Sequence, residues 1–312
     1  IRWLSEPHIG GGELRAAAGD EAVAAGAASA ALDRIGDEDL FLFKRSIRGE
    51  ADISDLKLDA SLAEFLKQRW HDRAMLAAGS GRYAPTWSHR ETRAWRSLSD
   101  EERRTLGWIF EEKAAAAELG WERRGRELLA MLKGSSDMMP CAEDLGAVPD
   151  CVPKVLSELG IPGLRVPRWM RRWDEPGQPF KPLGEYSELS ACTPSVHDTS
   201  TLRGWWEREE GREAFAAAYC PELKPVPQAL DAETAAVVLR ALAKAPSLLF
   251  VTQLQDILDL SDAMRSTDPQ EDRINVPGIV DGFNWTWRMQ HPLEDLDAAA
   301  DWKNRAKNAC RR

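Results

Sequence analysis

The 312-residue chain is poor in cysteine: five residues, none in a C-x-x-C pair. Cys141, Cys151, Cys192, Cys220 and Cys310 are odd in number and irregular in spacing. That pattern argues against a disulfide framework or a zinc site and reads as reduced thiols in a cytoplasmic protein. Cys141 and Cys192 sit in apolar contexts and read as small core residues. Basic charge is also short, with 41 Lys and Arg against 51 Asp and Glu and a net charge of −10. A nucleic-acid partner does not fit that balance, and a neutral or cationic substrate fits it better. No apolar run approaches the roughly 18 residues that span a bilayer, so no membrane role is expected, and no secretory leader is visible. There is no internal repeat. Tyrosine (3) and phenylalanine (8) are scarce beside 13 tryptophans, which serve as core, as interface or as flat platforms for a sugar face. The chain opens on Ile1 in mid-pattern, which reads as a fragment.

What is present divides near residue 134. Residues 1–133 read as mostly helical and irregular. The Ala/Gly-rich stretch from Ala16 to Ala31 has no decisive period, Phe41 to Phe43 suits a short strand, and Ser61 to Trp70 suits a helix. Ser99 and Glu102 form a capping box ahead of a long helical run, with a break expected near Gly120. After 134 the rhythm becomes strand–helix alternation. Met138–Ala142, Leu164–Arg168, Leu189–Pro194 and Ser247–Thr252 read as buried strands. Asp150 is placed to cap a helix ending at Gly160, Asp231–Ala243 is amphipathic, and Pro292–Ala309 reads as a closing helix. Four strands alternating with helices predict an α/β fold with a parallel sheet, part of a barrel.

Two stretches concentrate chemistry. Met139-Pro140-Cys141-Ala142-Glu143-Asp144 and Ser195-Val196-His197-Asp198 each read as a strand running out into an acidic turn, and parallel α/β proteins gather side chains at the carboxyl ends of strands. Retaining glycoside chemistry needs two carboxyl groups about 5–5.5 Å apart, one a nucleophile and the other an acid and then a base. Glu143, behind an apolar strand, suits the acid/base, since partial burial raises a carboxyl pKa. Asp198 suits a stabiliser of growing positive charge, and His197 a donor to a sugar hydroxyl. Each piece alone also fits a plainer role: an acidic turn for Glu143-Asp144, a helix cap for His197-Asp198, and core packing for Trp205-Trp206.

The ordered combination resembles a known family. Ala142-Glu143-Asp144-Leu145-Gly146-Ala147-Val148-Pro149, Leu159-Gly160-Ile161-Pro162-Gly163 with Arg168, His197-Asp198 with Thr201-Leu202-Arg203-Gly204-Trp205-Trp206, Gln255-Asp256, Arg273-Ile274-Asn275-Val276-Pro277-Gly278 and Asn284-Trp285-Thr286-Trp287-Arg288 look like the 4-α-glucanotransferases (amylomaltase or disproportionating enzyme, glycoside hydrolase family 77). The resemblance implies the carboxyl-terminal half of a (β/α)8 TIM barrel over residues 134–312, with 1–133 as a mostly helical insertion between barrel strands. It implies Glu143 as general acid/base and Asp198 as transition-state stabiliser. His197, Trp205 and Trp206 would bind substrate, and no metal or organic cofactor is needed. The partners would be an α-1,4-glucan (maltodextrin, glycogen or starch) and a glucose or maltodextrin acceptor. The family's nucleophile is the aspartate of an Arg-x-Asp-His motif. None of His8, His71, His89, His197 or His291 follows an aspartate, so the nucleophile is expected upstream of this chain and the chain alone is expected to be inactive. An α-glucan hydrolase on the same scaffold, or a non-catalytic glucan-binding or inactive fragment, is the alternative.

Overall fold

Helices carry most of the regular backbone in the first hundred residues, and between them run strands of three or four residues, too short to show an alternating pattern. The computed structural model describes residues 2–311, and the chain divides into two compact units, Ile1–Ala117 and Glu118–Arg312. In the first, β1 (His8–Gly10), β2 (Leu32–Arg34) and β3 (Leu40–Phe43) form an antiparallel sheet in the order β1-β3-β2. Its register pairs His8 with Leu42 and Leu32 with Phe43. β4 (Met75–Ala77) and β5 (Tyr83–Pro85) form a second antiparallel pair. The region is mostly helical, as expected, with these short strands added to it.

The Ala/Gly stretch resolves into two helices, α1 (Gly11–Ala18) and α2 (Glu21–Ala31). Gly19, at φ 68, ends the first, and the Asp20 carboxylate accepts the amides of Ala22 and Val23 to start the second, using the left-handed freedom of glycine and the orphan amides of a helix start. α2 turns Ala24, Ala27 and Ala31 inward, where they meet Ile9, Leu14 and, from α3 (Ala60–His71), Leu62 and Leu66. The capping box forms: Ser99 and Glu102 exchange backbone and side-chain bonds of 2.8 and 3.3 Å. The helix it starts, α4 (Asp100–Gly134), runs unbroken through Gly120. A single helical glycine costs about 1 kcal/mol, which its Ala, Glu, Leu and Arg neighbours offset. The two units divide within this helix, at Ala117/Glu118, rather than at its end.

The second unit is built on β6 (Gly163–Arg165), β7 (Ser190–Cys192) and β8 (Leu249–Phe250), all parallel and in chain order. Ala142 adds a parallel bridge to Gly163 on the free side of β6. The four expected strands therefore lie side by side in order, and the class is α/β. Met138–Ala142 is corrected from a buried strand to an exposed edge: Met138, Met139 and Cys141 are exposed, since the segment has one neighbour and no second sheet face covering it among the described residues. Cys192 is fully buried, as expected of a core thiol.

α5 (Cys151–Leu159) ends on Gly160 at φ 63, the expected left-handed stop. Its first amide is taken by Glu118 at 2.9 Å, not by Asp150. Between β6 and β7 there are only two short 3-10 turns and a Pro-rich loop. The core lies after β7, among α6 (Leu202–Arg208), α7 (Arg212–Tyr219) and α8 (Ala232–Leu242). Val238, Leu239 and Leu242 of α8 are fully buried and contribute about 1.5–3 kcal/mol each. The closing segment is two helices, α10 (Leu293–Ala298) and α11 (Ala300–Ala309), after the short α9 (Leu254–Leu258). No helix among the described residues is long and apolar enough to cross a membrane.

Candidate active site

Past the end of β7 the backbone makes a tight turn. The Thr199 N–H reaches the Val196 carbonyl at 3.0 Å, and the Val196 N–H donates to the Thr199 hydroxyl at 3.1 Å. The two residues at its tip, His197 and Asp198, are turned outward. Asp198 is half-buried and lies 3.4 Å from His197 Nε2. Asn275 fixes both, donating its side-chain N–H to Asp198 Oδ1 at 2.6 Å and its backbone N–H to the His197 carbonyl at 3.1 Å. Asp198 does not cap the following helix. Thr201 does, accepting the Gly204 amide at 3.1 Å, while the Leu202 amide goes to Asp256 at 2.8 Å. With the capping role filled by other residues, the Asp198 carboxylate is left facing out with one amide donor.

Beneath the turn lies a buried polar layer. Asp256, fully buried, also accepts the Ser195 hydroxyl. Burial pushes its carboxyl up, against the bonds from Ser195 and Leu202. Arg168, three residues past β6, donates to the carbonyls of Ser200 (3.1 Å) and Pro194 (3.0 Å) and lies 5.3 Å above the Trp205 ring. Burial lowers its pKa to about 10, still far above neutrality, so it remains a cation. In the first turn of α6, buried Arg203 meets buried Asp259 at 3.2 Å and the Ser266 carbonyl at 2.8 Å. Arg168, through the Pro194 and Ser200 carbonyls, and Asp256, through Ser195 and Leu202, tie down both sides of the His197-Asp198 turn.

The other acidic turn separates its two carboxylates. The Asp144 side chain is buried and spent on structure: it accepts the Leu164 amide at 2.6 Å and pairs with Arg165 at 2.9 Å. Glu143 is exposed and has no hydrogen-bond partner among the described residues. The partial burial expected for Glu143 is therefore corrected. The reason is the same exposed edge, which carries Ala142 on one neighbour only. Because Ala142, β6 and β7 are parallel, Glu143, Arg168 and His197-Asp198 all follow the carboxyl ends of adjacent segments.

Trp205 and Trp206 are placed in the core. They are 5% and 0% exposed and pack edge-to-face on Phe215 with centroids 4.9 and 6.4 Å away. The sugar-platform role expected of them is corrected to packing, because neither offers a ring face to solvent. Trp285 does: it is 63% exposed with its ring 5.2 Å from that of His197. The Arg-Ile-Asn-Val-Pro-Gly block marks Asn275 in the sequence, but its brace on Asp198 and His197 shows only in the fold. Among the described residues no group of three or more His, Cys, Asp or Glu is placed to hold a metal ion.

Comparison with known proteins converges on one family. The glycoside hydrolase family 77 model, described as 4-alpha-glucanotransferase, matches residues 66–294. A 4-alpha-glucanotransferase of Chlamydia pneumoniae is 37% identical over 174 residues, covering 56% of this chain and 32% of that protein. The rice 4-alpha-glucanotransferase DPE2 (Oryza sativa subsp. japonica) is 32% identical over 219 residues, covering 70% of this chain and 23% of that protein. Among solved structures, an amylomaltase from Streptococcus agalactiae in complex with acarbose is 27% identical, with a TM-score of 0.42 over 55% of this chain and 31% of that one. The matches to the first two relatives thus cover a third or less of those proteins' length.

Proposed function

The chain belongs to glycoside hydrolase family 77, the 4-alpha-glucanotransferases, and from that we propose that it is the carboxyl-terminal part of an enzyme moving α-1,4-glucan segments to the 4-hydroxyl of glucose or a maltodextrin. Residues 134–312 would form half of a (β/α)8 barrel, and 1–133 an insertion between its strands. Two features support this. The matches to the first two relatives cover a third or less of their length. The sheet's two edges also carry exposed Met138, Met139, Leu249 and Val251, apolar surface that further strands would cover.

The observation that carries the catalytic reading is the outward-facing Asp198, stripped of any capping duty and held by Asn275 at 2.6 Å. In this reading an aspartate outside residues 1–312 attacks the anomeric carbon, and the C1–O4 bond breaks. Glu143 gives its proton to the departing O4, and the glucan is left as an ester on the nucleophile. The acceptor's 4-hydroxyl then gives its proton back to Glu143 and displaces the ester, restoring the α-linkage. Asp198 stabilises the positive charge that builds at C1, and His197 donates to a hydroxyl of the donor sugar.

The test is a product ladder from maltotriose with the intact protein. Transfer yields glucose with maltopentaose, or maltose with maltotetraose, and then longer chains, hydrolysis yields only glucose and maltose, and Glu143→Gln should lower either by at least about a thousandfold. Intact protein that leaves maltotriose unchanged would sink the enzymatic reading.

A further inference from the structure

Trp285 is held in a conformation that a bulky residue avoids, and its ring is not used to fill the core. Its φ is +63, in the left-handed region that non-glycine residues rarely enter. The backbone around it is over-determined. Asn284 accepts the Val276 amide at 2.9 Å and donates to the carbonyls of Val276 and Ile279 at 3.1 and 2.8 Å. The Trp285 amide reaches the Ile274 carbonyl at 2.8 Å. Such strain persists only where the surroundings impose it, and it clusters at functional sites. A glycine here would remove the conformational penalty, yet the chain places its largest side chain at this point.

The ring is 63% exposed, and among the described residues its one ring neighbour is His197, at 5.2 Å and a tilt of 41°. The loop that presents it starts at Ile274 and Asn275, and Asn275 braces Asp198. A single loop, held by its own Asn284 and Trp285 hydrogen bonds, therefore sets the carboxylate and the indole together. Trp205 and Trp206, by contrast, are buried in packing.

We propose that Trp285 is a sugar platform whose indole stacks on the apolar C–H face of a glucose unit, adjacent to the unit faced by Asp198. This rests on the glucan reading of the site. A pyranose presents a flat C–H face that matches an indole face in size and is attracted to it, and prior fixation of the ring lowers the ordering cost of binding.

The test pairs Trp285→Gly with Trp285→Phe in the intact protein. Binding of maltopentaose is measured by calorimetry, and KM and kcat by maltotriose disproportionation. Trp285→Gly relieves the left-handed strain, so its melting temperature should equal or exceed the parent's while its maltopentaose Kd and its KM rise about tenfold or more, the fold-change that corresponds to losing one stacked ring. Trp285→Phe should recover part of the affinity. A folded Trp285→Gly whose Kd and KM stay within twofold of the parent's would overturn the platform, as would intact protein that binds no maltopentaose. Binding that depends on Trp285 in a protein that transfers nothing would support the platform and reject the enzymatic reading, so the two failures are distinguishable.

Discussion

Asn275 and Asp198, 77 positions apart in sequence, meet through a 2.6 Å hydrogen bond from the amide of one to the carboxylate of the other. The same asparagine takes the His197 carbonyl with its backbone N–H, so the turn and its acid are held from one residue. Asn275→Ala removes the first bond and keeps the second. Because the bond is only half-buried, its loss should cost about 0.5–1.5 kcal/mol of stability. Misplacing a group that faces the transition state costs more, and a displacement of about 1 Å can cost on the order of a hundredfold. The expected result is a 10- to 100-fold fall in maltotriose transfer with a melting temperature within a few degrees of the parent's. Equal activity in the variant would show that Asp198 does not depend on this brace.

The clamp on the other acidic turn predicts a sensitive glycine. A Cβ on Gly163 would lie 2.4 Å from Asp144 Oδ2 and 2.8 Å from its Cγ. Asp144 cannot swing aside without giving up the Leu164 amide and Arg165. Gly163→Ala should therefore cost about 1–3 kcal/mol in urea unfolding, as overpacking does. It should also lower transfer, because Glu143 rides on the displaced turn. Asp144→Ala, with Gly163 kept, leaves the Leu164 amide and the Arg165 guanidinium without their carboxylate, and should be the more damaging of the two. A Gly163→Ala protein as stable and active as the parent would mean that the turn adapts freely.

The elements that were legible in the sequence are those with a strong local cause. α5 stops at Gly160 because only a left-handed residue lets its last carbonyls be satisfied, and α4 starts at its capping box. The parallel order of Ala142, β6, β7 and β8 follows from apolar runs spaced by long connections, helical after Ala142 and after β7 and a Pro-rich loop after β6. Of the short antiparallel strands of the first unit only β3 shows in the sequence, as the apolar Phe41 to Phe43, because three residues carry no period. Met138–Ala142 reads as buried in the sequence because apolar content signals what a segment would bury, not whether a neighbour is present to bury it. In the site, Glu143 and Asp198 stand out as strand-end acids, but the division of labour between Glu143 and Asp144, and the Asn275 brace, depend on contacts between distant segments. Trp205 and Trp206 show the limit of composition: a Trp pair looks the same in sequence whether it faces sugar or Phe215.

Their burial gives a direct check. Trp206 is fully buried, and its indole N–H donates to the Pro227 carbonyl at 3.0 Å. Trp206→Ala should cost about 3–5 kcal/mol, the usual loss for deleting a core aromatic, plus the desolvation of an unpaired carbonyl. Trp206→Phe keeps most of the volume and should leave maltopentaose affinity within about twofold while still lowering the urea midpoint. A folded Trp206→Phe protein that lost its glucan affinity would return this residue to the binding surface.

Asp259 sets a pH dependence whose sign can be worked out. Burial pushes its carboxyl up to about 8, against the pull of Arg203. From near 4, the ordinary value for an unfolded chain, to about 8, the folded chain keeps a proton that the unfolded chain has lost. Folding is then linked to proton uptake, and the stability present at low pH is lost as pH rises through the folded value. Asp256, raised in the same direction by burial, adds to the slope. Asp259→Asn does not titrate, and the Arg203 guanidinium still has the Ser266 carbonyl at 2.8 Å. Unfolding free energies measured by urea from pH 5 to pH 8 should therefore fall less steeply in Asp259→Asn than in the parent, so that the variant gains on the parent as pH rises. Parallel curves would mean that Arg203 keeps Asp259 ionised throughout. In that case the buried pair is a true salt bridge, and Asp259→Asn should instead be destabilised by about the same amount at every pH in that window.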